Sequence, residues 1–279
     1  MCGGPAIMLT TKPCFEVELV RDRHATTLPI GSPAARFWQQ TQWDRGLVWH
    51  DPWQGMGGLG ASSAQYLGAW LAHAWLARDE LNAVKMMDEY VHFTKTRGGL
   101  APSGYDVLAQ GLSGCVYLNR NRAECCSMPW PFVDIDFILM HTGRKLATHE
   151  HLADALVLEG MDELAAIGYA GVAAMQRADG DAFLAAVEAY GVGLQQRGLV
   201  ATHTQHMLNN LMAQEGILAA KGCGAMGADV IVVFVPAARC EAMVQIVSNQ
   251  GHYVLATSSS LHTGNEFLQH DALFTSLVH

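Results

Sequence analysis

"GMGGLGASSAQ", residues Gly55 to Gln65, sets glycines at 55, 57, 58 and 60 directly ahead of two serines and a long apolar run. Glycine loses more conformational freedom on folding than other residues, so this density marks a backbone that must turn tightly or come close to something. In the run that follows, Tyr66, Trp70 and Ala74 with Leu67, Leu71 and Trp75 fall at i, i+4, i+8. That spacing predicts a helix over 62–77 with one apolar face. The first turn of a helix carries N–H groups without intrahelical acceptors and the positive end of the helix dipole. A glycine loop opening such a helix is therefore an anion cradle, with phosphate its usual occupant, and a plain tight turn is the alternative. The stretch lacks the lysine of a GxxxxGK[ST] loop and does not fit GxGxxG in a strand–loop–helix context. Ser62 or Ser63 can offer a hard oxygen to Mg²⁺.

Upstream of the loop, Pro5 to Leu9 and the alternating Phe15, Val17 and Leu19 read as a strand pair with a turn at Lys12-Pro13, and "RGLVWH" (45–50) reads as a further strand. The tryptophans at 38, 43, 49 and 53 read as core-edge packing. Downstream, a second helix is expected over 79–95, then loop, short helix and strand over 98–118, and a buried strand in "DIDFILMHTG" (134–143). Helices dominate after Thr148, with Thr148 and Asp162 suited as N-caps and Phe183, Val187, Tyr190 and Leu194 on one face. "ADVIVVFV" (228–235) is a strand, Pro236 opens a helix faced by Cys240, Met243, Val244 and Val247, and "HYVLATSSS" (252–260) closes as a strand. This order is α+β rather than strict βαβ alternation. The polar stretch "RNRAECCSMPWP" (120–131) is the expected domain boundary, giving units 1–130 and 131–279.

The 279 residues are half hydrophobic and only 15% charged, enough for one large or two modest cores. A net charge of −9 and a pI near 5.7 give no basic footprint for nucleic acid or an anionic membrane surface, so an anionic substrate needs local cations. Seven scattered cysteines without a CxxC pair fit a reducing compartment. No signal-peptide pattern and no membrane-length apolar run are visible, so a cytoplasmic protein is expected. Thirteen histidines, including His149/His151 and His203/His206, raise a metal-enzyme reading that has no HExxH or third ligand behind it.

Two further loops bear on the cradle. "APSGYDV" puts Asp106 at the opening of a short helix behind Ser103 and Gly104, where a carboxylate either stabilises the first turn or meets a substrate hydroxyl or Mg²⁺. "KGCGAMGADVIVVF" places Gly222, Gly224 and Gly227 ahead of a buried strand, as a tight turn or a close backbone approach. In this order and at these separations the three stretches resemble the GHMP kinases, the superfamily of galactokinase, homoserine kinase, mevalonate kinase and phosphomevalonate kinase, over essentially the whole chain. "GGLGASSA" is similar to that family's Pro-x-x-x-Gly-Leu-Gly-Ser-Ser-Ala phosphate loop, "SGYD" to its Ser-Gly-x-Asp segment, and "KGCGAMGAD" to its Lys-x-x-Gly-Ala-Gly-x-Gly loop.

The resemblance implies a two-domain fold, ribosomal protein S5 domain 2-like then ferredoxin-like, and transfer of the ATP γ-phosphoryl group to a small molecule with Mg²⁺. It implies a cofactor cradle of Gly57, Gly58, Leu59, Gly60, Ala61, Ser62 and Ser63, with Ser62 the metal ligand and Ala61 standing where the family has its first serine. Asp106 is the implied catalytic residue. Ser103, Gly104, Arg144, Lys221, Gly224 and Ala225 are the implied substrate contacts, with Lys145 a further candidate cation. "SGYDV", "GAMGAD" and "HTGRKLATHEHL" (141–152) resemble phosphomevalonate kinases more than mevalonate kinases, so 5-phosphomevalonate is the expected acceptor, with mevalonate or another acceptor of the superfamily as the alternative.

The chain also departs from the family. A first motif, a strand with a lysine and a Gly-Glu-His or Gly-Glu-Tyr turn, precedes the family's Gly-Gly-Pro-Ala pattern, and this chain opens on that pattern at Gly3. The expectation is that this strand and the lysine beside Asp106 are missing, that turnover is weak or the chain only binds nucleotide, and that an exposed sheet edge favours a homodimer. Lys12 is not accepted as a substitute. The glutamate that mevalonate kinases carry eleven residues before the aspartate is Lys95 here, which leaves Mg²⁺ short of one protein ligand.

Overall fold

The computed structural model describes residues 3–95, 102–144, 160–224 and 229–262. Thr148, His149, His151, Lys145 and Ala225 lie outside them. The chain opens with β1 (Ala6–Leu9), β2 (Glu16–Val20), α1 (Pro33–Thr41) and β3 (Gly46–His50). Next come α2 (Ala61–Ala77), α3 (Ala83–Thr94), α4 (Tyr105–Leu112), β4 (Cys115–Asn119) and β5 (Glu124–Met128). The second half contains β6 (Ile135–His141), α5 (Met161–Gln176), α6 (Gly180–Gln196), α7 (Thr202–Met212), β7 (Ala219–Cys223), β8 (Val230–Pro236), α8 (Cys240–Asn249) and β9 (Tyr253–Thr257). The mixed α+β order expected from the sequence is the one observed. Among the described residues no helix is long and apolar enough to cross a membrane.

Three sheets form. β1, β4 and β5 make an antiparallel sheet in that order, β2 pairs with β3, and a four-stranded antiparallel sheet runs β7-β8-β6-β9. This corrects the expected β1–β2 pair: Ala6 is in register with Leu118, and Glu16 with His50. Within the stretch 120–131, "ECCSM" is strand β5, paired with β4 and with Cys125 buried. The first sheet is drawn from residues before 130 and the four-stranded sheet from residues after it.

Strands β6 and β8 are apolar on both faces because helices cover both. Ile135, Phe137 and Leu139 with Val230, Val232 and Phe234 pack with Ala174, Met175, Phe183 and Val187 of α5 and α6. The alternate residues Ile138, Met140, Ile231, Val233 and Val235 pack with Leu208, Leu211, Met243 and Val247 of α7 and α8. Period-two alternation thus divides each strand between two cores. A third core joins α1, α2, α3 and α4 to the first sheet through Phe37, Tyr66, Trp70, Met86, Leu112 and Leu118. The core on the α5–α6 side also takes in Trp53, Met56 and Leu59, so the glycine loop rests on the second half of the chain. Trp75 departs from the face read for α2, standing 72% exposed near its C-terminal end. α5 starts behind Gly160 as N-cap, with Asp162 in the first turn rather than capping it.

Candidate phosphate cradle and acceptor site

The glycine loop is built by a turn and two close approaches. The Asp51 carboxylate accepts the N–H groups of Trp53 and Gly55, each at 2.8 Å, and bends the chain into the loop. Gly58 follows at φ +77°, and a Cβ there would stand 2.6 Å from Asp229 Cβ and 3.0 Å from Val230 Cγ2. The loop therefore lies against the start of β8. Gly60, at φ +75°, is the N-cap of α2 and has no side chain to cap the helix. Its carbonyl accepts the Gln110 side-chain amide at 3.0 Å, which ties the loop to α4. Leu59 anchors the loop in the core below, and Ala61, Ser62 and Ser63 form the first turn of α2. As first-turn amides they have no intrahelical acceptors, the arrangement by which a helix start can bind an anion.

The two serines diverge. Ser62 is exposed, while Ser63 is buried and its Oγ lies 3.0 Å from the Tyr90 hydroxyl of α3. Of the two, Ser62 alone has an exposed side chain. The Ser63 side chain is turned to α3.

Asp106 occupies the first turn of α4 behind Gly104, the N-cap at φ +75°. Solvent reaches the residue, yet the protein packed around the carboxyl pushes its pKa above the ordinary value of 3.8, with burial the cause. The Asp106 charge in turn helps raise the Tyr90 phenol, after burial, so Ser63, Tyr90 and Asp106 share one neighbourhood. The bend before α4 is braced twice: Ser103 Oγ accepts the Tyr105 N–H at 3.3 Å, and the Ser103 carbonyl accepts Arg120 Nη1 at 3.1 Å. Tyr105 Oη accepts the Arg120 N–H at 2.9 Å and donates to the Gly4 carbonyl at 2.8 Å. Arg120, to which the sequence assigns no role, thus sets an exposed guanidinium beside Ser103. Only the tertiary hydrogen bond reveals it.

Asp229 and Val230, at the start of β8, lie against Gly58 of the glycine loop. Thr142 N–H donates to the Asp229 carbonyl at 2.9 Å, so the end of β6 and the start of β8 come together under Gly58. Gly143, at φ +76°, turns the chain there and leaves Arg144 exposed. Gly224 is exposed at φ +70° with open space around it. Lys221 donates from Nζ to the Gly222 carbonyl at 2.7 Å and lies 5.7 Å from the Tyr190 ring centroid, which holds it against β7 and α6. Lys95 is the C-cap of α3. Among the described residues no group of three His, Cys, Asp or Glu side chains is placed to hold a metal, and His203 and His206 lie on α7.

No protein-family model and no curated protein matches the chain. Solved structures do. The Streptococcus pneumoniae phosphomevalonate kinase in complex with phosphomevalonate and AMPPNP superposes with a TM-score of 0.73 at 13% identity, over 92% of this chain and 93% of that one. The Methanococcus jannaschii mevalonate kinase gives 0.65 at 12% identity, over 94% and 92%. The mevalonate pyrophosphate decarboxylase from Streptococcus pyogenes gives 0.65 at 9% identity, over 94% and 90%. At such identities the fold is what is shared, and one fold hosts several reactions. The chain has the fold of the GHMP kinases.

Proposed function

We propose that the protein is an ATP-dependent small-molecule kinase acting on an anionic acceptor, with 5-phosphomevalonate as the preferred substrate. The observation that carries this reading is the glycine-lined start of α2 bound, through the Gly60 carbonyl, to Gln110 of α4, one helical turn beyond Asp106 on the same side of that helix. Bound ATP supplies the transferable phosphoryl group, with Mg²⁺ neutralising its charge. The residues fit such a group: the open first turn of α2 offers amides to phosphate oxygens, and Ser62 offers a hard oxygen to the metal. Asp106 holds the acceptor oxygen and takes its proton, and a raised pKa improves its match to that task near neutral pH. Fold likeness supports a phosphotransferase, and the S. pneumoniae neighbour holds phosphomevalonate and AMPPNP together.

The test is purified chain with Mg·ATP and, in turn, 5-phosphomevalonate, mevalonate and galactose, followed by ADP release and ³¹P NMR of the product. Acceptor-dependent ADP release with 5-phosphomevalonate is expected, and its absence with all three overturns the kinase reading. One observation favours a second reading, a nucleotide-binding protein without transfer: no cation among the described residues offsets the burial of Asp106. Nucleotide binding without acceptor-dependent release is its signature.

Two substitutions probe the parts. Ser62→Ala raises the Mg²⁺ concentration needed for half-maximal ATP binding by about tenfold, read by titration calorimetry across a metal series. Arg120→Gln raises KM for a phosphorylated acceptor by roughly tenfold and leaves KM for ATP unchanged, because a charge-assisted hydrogen bond is lost on the acceptor side alone.

A further inference from the structure

Helix α3 touches both helix starts that carry the site. Met87 packs under Gly104, where a Cβ would come 3.0 Å from Met87 Cγ and 3.2 Å from its sulfur. Three residues on, and so on the same side of the helix, Tyr90 Oη reaches Ser63 Oγ at 3.0 Å in the first turn of α2. Both residues are buried, at 7% and 3% exposed. The buried Tyr90 ring stands edge-on to Tyr66 with centroids 5.1 Å apart, which limits the phenol's freedom to turn away. Nothing in the sequence marks this residue: it lies mid-helix, sixteen positions before Asp106 and twenty-seven after Ser63.

We propose that Tyr90 is a positioning residue: its hydroxyl, acting through Ser63, holds the first turn of α2 in fixed register with the first turn of α4, and so the phosphate cradle in register with Asp106. This rests on the reading of those two helix starts as the transfer site. Burial raises the phenol's pKa, the Ser63 hydrogen bond offsets part of that and the Asp106 charge adds a little, with a net upward shift that keeps the hydroxyl protonated near neutral pH. A hydroxyl that never ionises adds no charge to a site that must accept phosphate and carboxylate.

The test uses Tyr90→Phe, which keeps the ring packed on Tyr66, and Ser63→Ala, which removes the other end of the bond. Each lowers kcat by roughly tenfold with KM for ATP within about twofold, since misplacing a reacting group acts on the transition state. The double variant is no slower than either single one, because both delete the same bond. Wild-type kcat in Tyr90→Phe, or losses that multiply in the double variant, overturns the proposal. A second measurement needs no turnover: the ¹³C carboxyl resonance of Asp106 in nucleotide-free protein moves in the same direction in both single variants, and an unmoved resonance overturns the proposal. Failure of the kinase reading shows separately, as a wild-type chain that neither binds nor consumes ATP.

Discussion

Asp106→Asn is expected to cut acceptor-dependent turnover by about 10²–10⁴-fold, the range for losing a positioned acid–base group, while ATP binding persists and the folded protein becomes more stable at neutral pH. The two effects share one cause. Burial holds the Asp106 carboxyl above its ordinary pKa of 3.8, so the folded chain binds that proton more tightly than the unfolded chain does. Ionising the group therefore opposes folding. The opposition is absent below 3.8, grows as pH rises toward the raised folded value, and is constant above it. Asparagine has nothing to ionise, so the variant matches wild type in stability at the acid end of the window and exceeds it at pH 7. Because solvent reaches Asp106 and screens part of the effect, a gain of about 1–3 °C in Tm is expected, read by calorimetry at several pH values. The acid limb of the wild-type kcat profile reports the same raised carboxyl. A variant that loses both stability and activity at pH 7 would identify Asp106 as a helix-stabilising residue only.

The glycine turn and the start of α2 are legible in the sequence because their signals are local. Glycine density, the two serines and a 3.6-residue apolar repeat all fall within about twenty residues of one another, and α2 begins at Ala61, one residue before the position read from them. β6 and β8 were legible for a related reason, since strands buried on both faces read as unbroken apolar runs. What escaped depends on distant partners. β1 and β2 each show strand periodicity, but periodicity carries no information about which edge accepts a strand, and β1 went to β4, more than a hundred residues on. β5 was concealed in a polar stretch because Glu124, Cys126 and Met128 are only partly buried, leaving Cys125 as its fully buried residue. The spacing of Trp75 matches the apolar face, but the 17-residue α2 outruns the 9-residue α1 and the 8-residue α4 packed against it, and Trp75 falls near its free end. Gln110, Tyr90 and Arg120 belong to the site only through side-chain bonds across the fold.

At Gly58 the loop is held against a backbone-fixed atom of the strand start, and Gly58→Ala is expected to be far more damaging than the same change at Gly55. Two terms add. At φ +77° an L-residue is strained by about 1–2 kcal/mol, and the new Cβ would sit 2.6 Å from Asp229 Cβ, an atom fixed to the backbone of the strand start that Thr142 also holds. Relieving that contact requires moving either the loop or the β6–β8 end, an overpacking term of about 1–3 kcal/mol. Gly55→Ala supplies the control: φ is +83°, equally strained, but nothing lies within 4 Å of the added methyl. Urea denaturation should therefore show a loss of about 2–5 kcal/mol for Gly58→Ala and about 1–2 kcal/mol for Gly55→Ala. ATP affinity separates them further, because only the first forces the amides of the loop away from the first turn of α2. A tenfold or greater loss of affinity in Gly58→Ala beside a small change in Gly55→Ala would tie phosphate binding to contact between the glycine loop and β8. Equal losses in the two variants would mean that the loop holds its shape by backbone conformation alone, and that the second half of the chain has no part in the cradle.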